Sequence, residues 1–401
     1  MILLPALYSE KYGISLASIG IIIFCAKIID IVTDPLMGWV NDLALLKRKQ
    51  WMFIGAIISG VSLYCILIPV SNPNEIYLSI FIVSLYTGWT IFQVPYLSFG
   101  YDLEKDYNGR TSLSATREFF ILFGLIASVS LPLIIDSNIP LETSITFLAI
   151  VSGSLGISLF FFTVKEPKKL SLSKKKDFGT IMHNSIFMRL SLSWFINCLA
   201  NVFPTVLFVF FVTYVIGGSE EDREKILFYY FLAAFLGMPF WVWLSRYVEK
   251  KNIWFLSMIS SAIFFSFVFL LNEGDINLFI IISVLTGFCL GADLSIPPSI
   301  QSDLVDYHKS IYYVDISGLF FSFLTFMNKF AFGIASVVSF TLLESFGFQE
   351  GQSLSKTGSN LLYVLYAGVP IVLKLIASFL IWYFPLSKKE SESISKKLYI
   401  K

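Results

Sequence analysis

The sequence predicts an all-α polytopic membrane protein, and three observations carry that expectation. Hydrophobic residues make up 56% of the 401-residue chain and charged residues only 14%, too few charges for an ordinary solvated surface. Apolar runs long enough to cross about 30 Å of hydrocarbon recur between short polar breaks. The basic residues also alternate from break to break. Of 29 Lys and Arg, 20 lie in loops 47–49, 99–113, 165–185, 246–252 and 299–316 and in the tail after 386, whereas 4 lie in the opposite loops and 5 within the runs. Basic loops face the cytoplasm, so the C-terminus is expected inside.

Taken in order, spans are expected at 15–40, 51–70, 76–98, 114–135, 143–164, 186–216, 226–245, 253–271, 277–298, 317–343 and 360–385. The first ends at Asn41-Asp42 and the basic Lys47-Arg48-Lys49. Six lysines between Lys165 and Lys176 follow the fifth span, and the ninth closes on Pro297-Pro298. Eleven spans leave five helices before the lysine-rich linker and six after it. The simplest repair of a six-plus-six pattern makes Met1–Leu7 the outer end of a first helix. The expected organisation is an N-terminal bundle over 1–164, a basic linker over 165–185, a C-terminal bundle over 186–385 and a tail over 386–401.

Met1–Leu7 lacks a basic n-region and no cleavage site follows it, so no secretory signal is expected. Cys25, Cys65, Cys198 and Cys289 are scattered singly in apolar runs, which suits neither a disulfide framework nor a zinc site. His183 and His308, read as lying in or near loops, are too few and too distant for a metal cluster. No GxSxG, HExxH, CxxC or phosphate-binding loop is present, so an enzyme is not expected.

The costliest residues are Asp30 and Asp34 inside the first span. A carboxylate at the centre of a membrane helix costs roughly 2.5–3.5 kcal/mol. Spacing i, i+4 puts both on one face, where they can share one cation or one proton. The competing reading is an inert ion pair between Lys27 and Asp30, which leaves Asp34 without a local partner in the sequence. A faint repeat sets Asp34-Pro35 through Asp42 against Met238-Pro239 through Arg246, each followed by a basic loop. Met238 stands where the first half has Asp34, so only the first half is expected to carry an ion site.

Gly38-Trp39-Val40-Asn41-Asp42 followed by Lys-Arg-Lys resembles a degenerate major facilitator superfamily loop signature. Lys27 through Gly38, with Asp30, Thr33, Asp34 and Pro35, is similar to the second-helix motif of the glycoside-pentoside-hexuronide:cation symporters, the melibiose permease-like family. Asp106 through Arg117 looks like that family's loop into helix five. Asp303-Leu-Val-Asp306-Tyr307 with Gly318 through Lys329 resembles its helix ten to eleven region. The resemblance covers nearly the whole chain. It implies two six-helix bundles with the first helix truncated, a monomer in a bacterial inner membrane, no cofactor beyond a coupling Na⁺ or H⁺, and no nucleic-acid partner.

The resemblance also assigns roles. Asp30 and Asp34, with Thr33 and Thr90, are implied cation ligands; Gln93, Arg117, Thr325 and Lys329 are implied solute contacts; Gly38, Asp42, Arg48, Asp303 and Asp306 are implied gate residues. Na⁺ suits an all-oxygen set, whereas a proton needs one carboxylate of raised pKa. Arg117 also fits a side chain snorkelling from the interface. Gln93 and Leu97 replace a carboxylate and a tryptophan of melibiose permease, which sets a galactoside in doubt. Lys374 has a structural reading, and Asp293 reads as a helix-end carboxylate or a gate residue. The expected function is alternating-access symport of a sugar or glycoside. The alternatives are a lysolipid or other amphiphile as solute, and a degenerate receptor or scaffold that does not transport. A channel would not require paired coupling carboxylates.

Overall fold

The computed structural model describes residues 8, 12–43, 45–69, 73–134, 141–165, 178–181, 183–346 and 356–399. Twelve α-helices follow one another among the described residues. They are α1 (Leu16–Leu43), α2 (Arg48–Leu67), α3 (Glu75–Leu103), α4 (Tyr107–Ile134), α5 (Leu141–Thr163), α6 (Ser185–Phe211, continued by a π turn over Val212–Ile216) and α7 (Glu220–Leu244). Then come α8 (Lys250–Ser266), α9 (Ile276–Tyr312), α10 (Ser317–Ser345), α11 (Lys356–Tyr363 and Val369–Trp382, joined by a π turn over Val364–Gly368) and α12 (Lys388–Tyr399). Each expected span falls on one of α1 to α11. Met1–Leu7 and the lysines from 168 to 176 lie outside the described residues.

Two compact units emerge. One comprises Met1–Leu103, Ala127–Leu172 and Asp315–Phe326; the other comprises Glu104–Ile126, Ser173–Val314 and Met327–Lys401. The start of α10 therefore packs with α1 to α3, and the start of α4 packs with the helices after residue 173. In the first unit Tyr8, Ile19, Ala26, Ile66, Leu78 and Ile82 form an apolar cluster, and the Tyr8 hydroxyl donates to the Ile66 carbonyl at 2.7 Å. Helices α2 and α3 touch backbone to backbone: a Cβ at Gly55 would lie 2.5 Å from the Phe92 nitrogen, a close approach typical of membrane helices. In the second unit Phe211 stacks on Tyr366 with centroids 4.2 Å apart, beside both π turns.

Polarity runs opposite to that of a water-soluble domain. Asp30, Arg48, Arg110, Asp293, Asp306 and Lys374 are buried, while Ile21, Phe24, Phe120, Leu155, Leu236 and Phe379 are more than half exposed. Apolar side chains facing outward from helices of this length are solvated by lipid rather than water.

Three expectations need correction. Loops 99–113 and 299–316 are mostly helix. Asp106 Oδ2 accepts from the Asn108 and Gly109 N–H groups at 2.9 Å each, which starts α4 in a polar stretch, and α9 runs through Pro297-Pro298 to Tyr312. His308 is consequently buried within α9, stacked on Tyr312. Asp293 lies in the middle of α9, not at its end. The tail is also structured: Ser387 and Glu390 cap each other at the start of α12, with Ser387 N to Glu390 Oε2 at 2.8 Å and Glu390 N to Ser387 Oγ at 3.3 Å. The Ser387 N–H and hydroxyl, both donating to Oε2, hold the Glu390 carboxyl below its ordinary pKa.

Candidate functional site

Asp30 and Asp34 project from one face of α1, and Thr90 meets them from α3. The Thr90 hydroxyl lies 3.2 Å from Asp30 Oδ1 and 3.0 Å from Asp34 Oδ1, and all three residues are about 1% exposed. A hydroxyl carries one proton and serves one carboxylate at a time. The two contacts place the Oδ1 atoms within about 6 Å of each other, where two full charges repel by about 3 kcal/mol at an effective dielectric of about 20. A shared cation or proton relieves that repulsion. The Thr33 hydroxyl donates to the Asp30 carbonyl of its own helix at 3.1 Å. Lys27 places its amine 4.5 Å from the centre of the Tyr86 ring. In the second unit, Met238 sits in an apolar cluster with Ala115, Leu122 and Ala234, which matches the expected contrast with Asp34.

The implied gate residues sort into two buried clusters. In the first unit, Asp42 accepts from the Gly318 and Leu319 N–H groups at 2.8 and 2.7 Å, one on each oxygen. It thereby caps the start of α10, where unpaired N–H groups and the helix dipole favour an anion. Arg48, the first residue of α2, donates to the Ser98 carbonyl, the Asp102 carboxylate and Ser317 Oγ. Gly38 makes the approach possible: a Cβ there would lie 2.2 Å from Ser322 Oγ. In the second unit, Arg110 bridges Asp303 at 3.1 Å and Asp306 at 2.6 Å. Lys250, the first residue of α8, bonds Asp303 at 2.6 Å and lies over the Tyr107 ring. The Tyr399 hydroxyl of α12 donates to Asp306 at 2.7 Å.

The same device is thus built twice: a basic residue opening one helix binds a carboxylate near the end of the next. Sequence reasoning named Asp42, Arg48, Asp303 and Asp306 but gave no role to Asp102, Arg110, Lys250, Ser317 or Tyr399. The basic loops of the faint repeat held the signal for Lys250, and Arg110 stood in a quoted motif.

The implied solute residues are less convergent. Arg117 pairs with its neighbour Glu118, at 3.0 and 2.7 Å, and the Thr325 hydroxyl donates to the Ser322 carbonyl at 2.9 Å. Gln93 and Lys329 are half-buried on α3 and α10. A further polar group was not foreseen as a unit. Lys374 bonds Asp293 Oδ2 at 3.1 Å and Asn197 Oδ1 at 3.2 Å; Trp254 Nε1 donates to Asp293 Oδ1 at 2.8 Å, and Asn201 donates to Oδ2 at 3.1 Å.

Among solved structures, the fucose:proton symporter of Escherichia coli is similar at 14% identity with a TM-score of 0.72, covering 93% of each chain. A bacterial homologue of the iron transporter ferroportin reaches 0.71 at 13% identity, covering 96% of this chain and 94% of that one. At these identities the likeness shows the fold, which is that of major facilitator superfamily transporters. Sodium-dependent lysophosphatidylcholine symporter 1-A of Danio rerio is 23% identical over 95% of this chain and 81% of its own length. Inner membrane symporter YicJ of Escherichia coli is 22% identical over 99% and 90%. The isoprimeverose transporter of Lactiplantibacillus pentosus is 22% identical over 97% and 85%. The family described as MFS/sugar transport protein matches residues 1–388. The chain therefore belongs to this family of multi-pass membrane transporters, which carry small-molecule solutes across the bilayer and are not enzymes.

Proposed function

We infer that the protein is a cation-coupled symporter of a sugar or glycoside, working by alternating access. One observation carries the reading: two buried carboxylates one helical turn apart on α1 converge on the Thr90 hydroxyl of α3. The oxygen set accommodates Na⁺, and either carboxylate alone accommodates H⁺. Coupling then reduces to linkage: a cation at Asp30 and Asp34 raises solute affinity, and the solute raises cation affinity by the same factor. Thr33, bonded to the backbone, is left out of this cation set. Gln93, Arg117, Thr325 and Lys329 are proposed solute contacts, and Gly38, Asp42, Arg48, Asp303 and Asp306 gate residues.

The functions of relatives support the coupling, since glycoside-type and lysolipid transporters alike are described as symporters. They also support a second reading, a lysolipid as solute, because the sodium-dependent lysophosphatidylcholine symporters of several vertebrates match almost the whole chain. A bacterial inner membrane, a monomeric state and a cytoplasmic C-terminus complete the proposal.

The test is uptake into proteoliposomes under imposed Na⁺ or H⁺ gradients, with isoprimeverose and lysophosphatidylcholine as alternative solutes. Asp34→Asn is expected to abolish gradient-driven accumulation while the protein still inserts and folds. Undiminished accumulation by that variant would remove Asp34 from the coupling site.

A further inference from the structure

Among the described residues, Asp293 and Lys374 form a buried charged pair in the second unit that neither the ion site nor the gates use. Asp293 and Lys374 are 5% and 1% exposed. Such a pair costs desolvation that its mutual attraction only partly returns, so its retention calls for a role.

The arrangement is graded. The fully buried Trp254 bonds Asp293 Oδ1, and the fully buried Lys374 is shared between Asp293 Oδ2 and Asn197. The least buried partner of Oδ2 is the amide of the half-buried Asn201. The polar row continues from Asn197 to Cys198, whose thiol donates to Oδ1 of the exposed Asn328 at 2.7 Å. Pro297 and Pro298 lack the N–H groups that would bond the carbonyls of residues 293 and 294 within α9. Acceptors therefore concentrate around Asp293, and the most replaceable donor among them is the Asn201 amide.

We propose that Asp293 is a solute-recognition residue, whose Oδ2 accepts a hydrogen bond from a hydroxyl of a neutral polyhydroxylated solute in place of the bond from Asn201. Charge selects that class. Lys374 already balances the carboxylate, so the pair is net neutral and offers no uncompensated charge to a cationic or an anionic solute. A carboxylate paired with a buried lysine is a stronger acceptor than an amide. Trp254 and Lys374 act as positioning residues.

This inference rests on the glycoside reading, and its test separates the two. Purified protein with saturating Na⁺ or H⁺ is titrated with labelled isoprimeverose and with its single-deoxy analogues. Two variants are compared with the natural protein: Asp293→Asn, and the charge-balanced Asp293→Asn/Lys374→Gln, which leaves no uncompensated charge to unfold the bundle. The natural protein is expected to bind the sugar, and one deoxy analogue is expected to bind about tenfold more weakly, the usual consequence of leaving an ionised acceptor unpaired. The double variant is expected to lose about tenfold for the full sugar and nothing further for that analogue. Its stabilisation by the cation stays unchanged, because Asp30 and Asp34 are intact. If the double variant binds isoprimeverose as the natural protein does, Asp293 is structural and the inference fails while the glycoside reading stands. If the natural protein binds no isoprimeverose, both fail together.

Discussion

Replacing Asp42 by Asn changes one atom and should loosen the start of α10. The carboxylate accepts one backbone N–H on each oxygen, at 2.8 and 2.7 Å. Asn retains one acceptor and turns an NH₂ toward the other N–H group. A hydrogen bond to a charged group contributes about 1.5–3 kcal/mol net, and an anion at a helix N-terminus about 0.3–1 kcal/mol. A loss of about 2 kcal/mol raises the population in which α1 and α10 separate by about 30-fold. The assay needs a background in which Cys25, Cys65, Cys198 and Cys289 are serine, with Ser322→Cys as the reporter. Ser322 is fully buried, and its Oγ lies 2.2 Å from where a Cβ on Gly38 would sit. Maleimide labelling slower than reclosing reads the open population directly. Asn at position 42 should accelerate labelling about 30-fold with unchanged helix content. Equal rates in the two proteins would refute the reasoning, because the carboxylate would then not be what holds α10 to α1.

Three further outcomes are expected. Thr90→Val removes the hydroxyl between the carboxylates, so the cation concentration giving half-maximal coupling should rise about fivefold, the equivalent of one hydrogen bond of about 1 kcal/mol; an unchanged value would place the ion elsewhere. Lys250→Met removes the ammonium from Asp303, one of the cations that balance the buried Asp303 and Asp306. It should lower thermal stability in detergent by the equivalent of about 3–5 kcal/mol, with much of the loss recovered in Lys250→Met/Asp303→Asn. A single variant as stable as the natural protein would show that the cluster does not behave as a balanced unit. Tyr399→Phe removes the hydroxyl from Asp306 and should speed amide exchange across 388–399 by about fivefold, again about one hydrogen bond; unaltered exchange would mean that the other contacts of α12 suffice.

Much of the ion site is legible in one dimension because helical geometry is local. Asp30 and Asp34 share a face by spacing alone, and their cost in a membrane helix marks them without any partner in view. The gates were half legible. Asp42, Asp303 and Asp306 stand in motifs, but Asp42 binds backbone N–H groups 276 and 277 residues away, and backbone donors leave no sequence signature. The backbone bond of Thr33 was not legible for a related reason. Its side chain can bond its own helix, and only the coordinates show that it does.

The membrane class, the positions of the eleven expected helices and the paired carboxylates are legible in the chain, because hydropathy over a bilayer's thickness and residue spacing along a helix are properties of contiguous residues. Long-range packing set the rest: 99–113 and 299–316 are largely helical, and Asp293 meets Lys374 across 81 residues. Those outcomes depend on which buried charges find partners from other helices, and desolvation enforces that pairing in three dimensions.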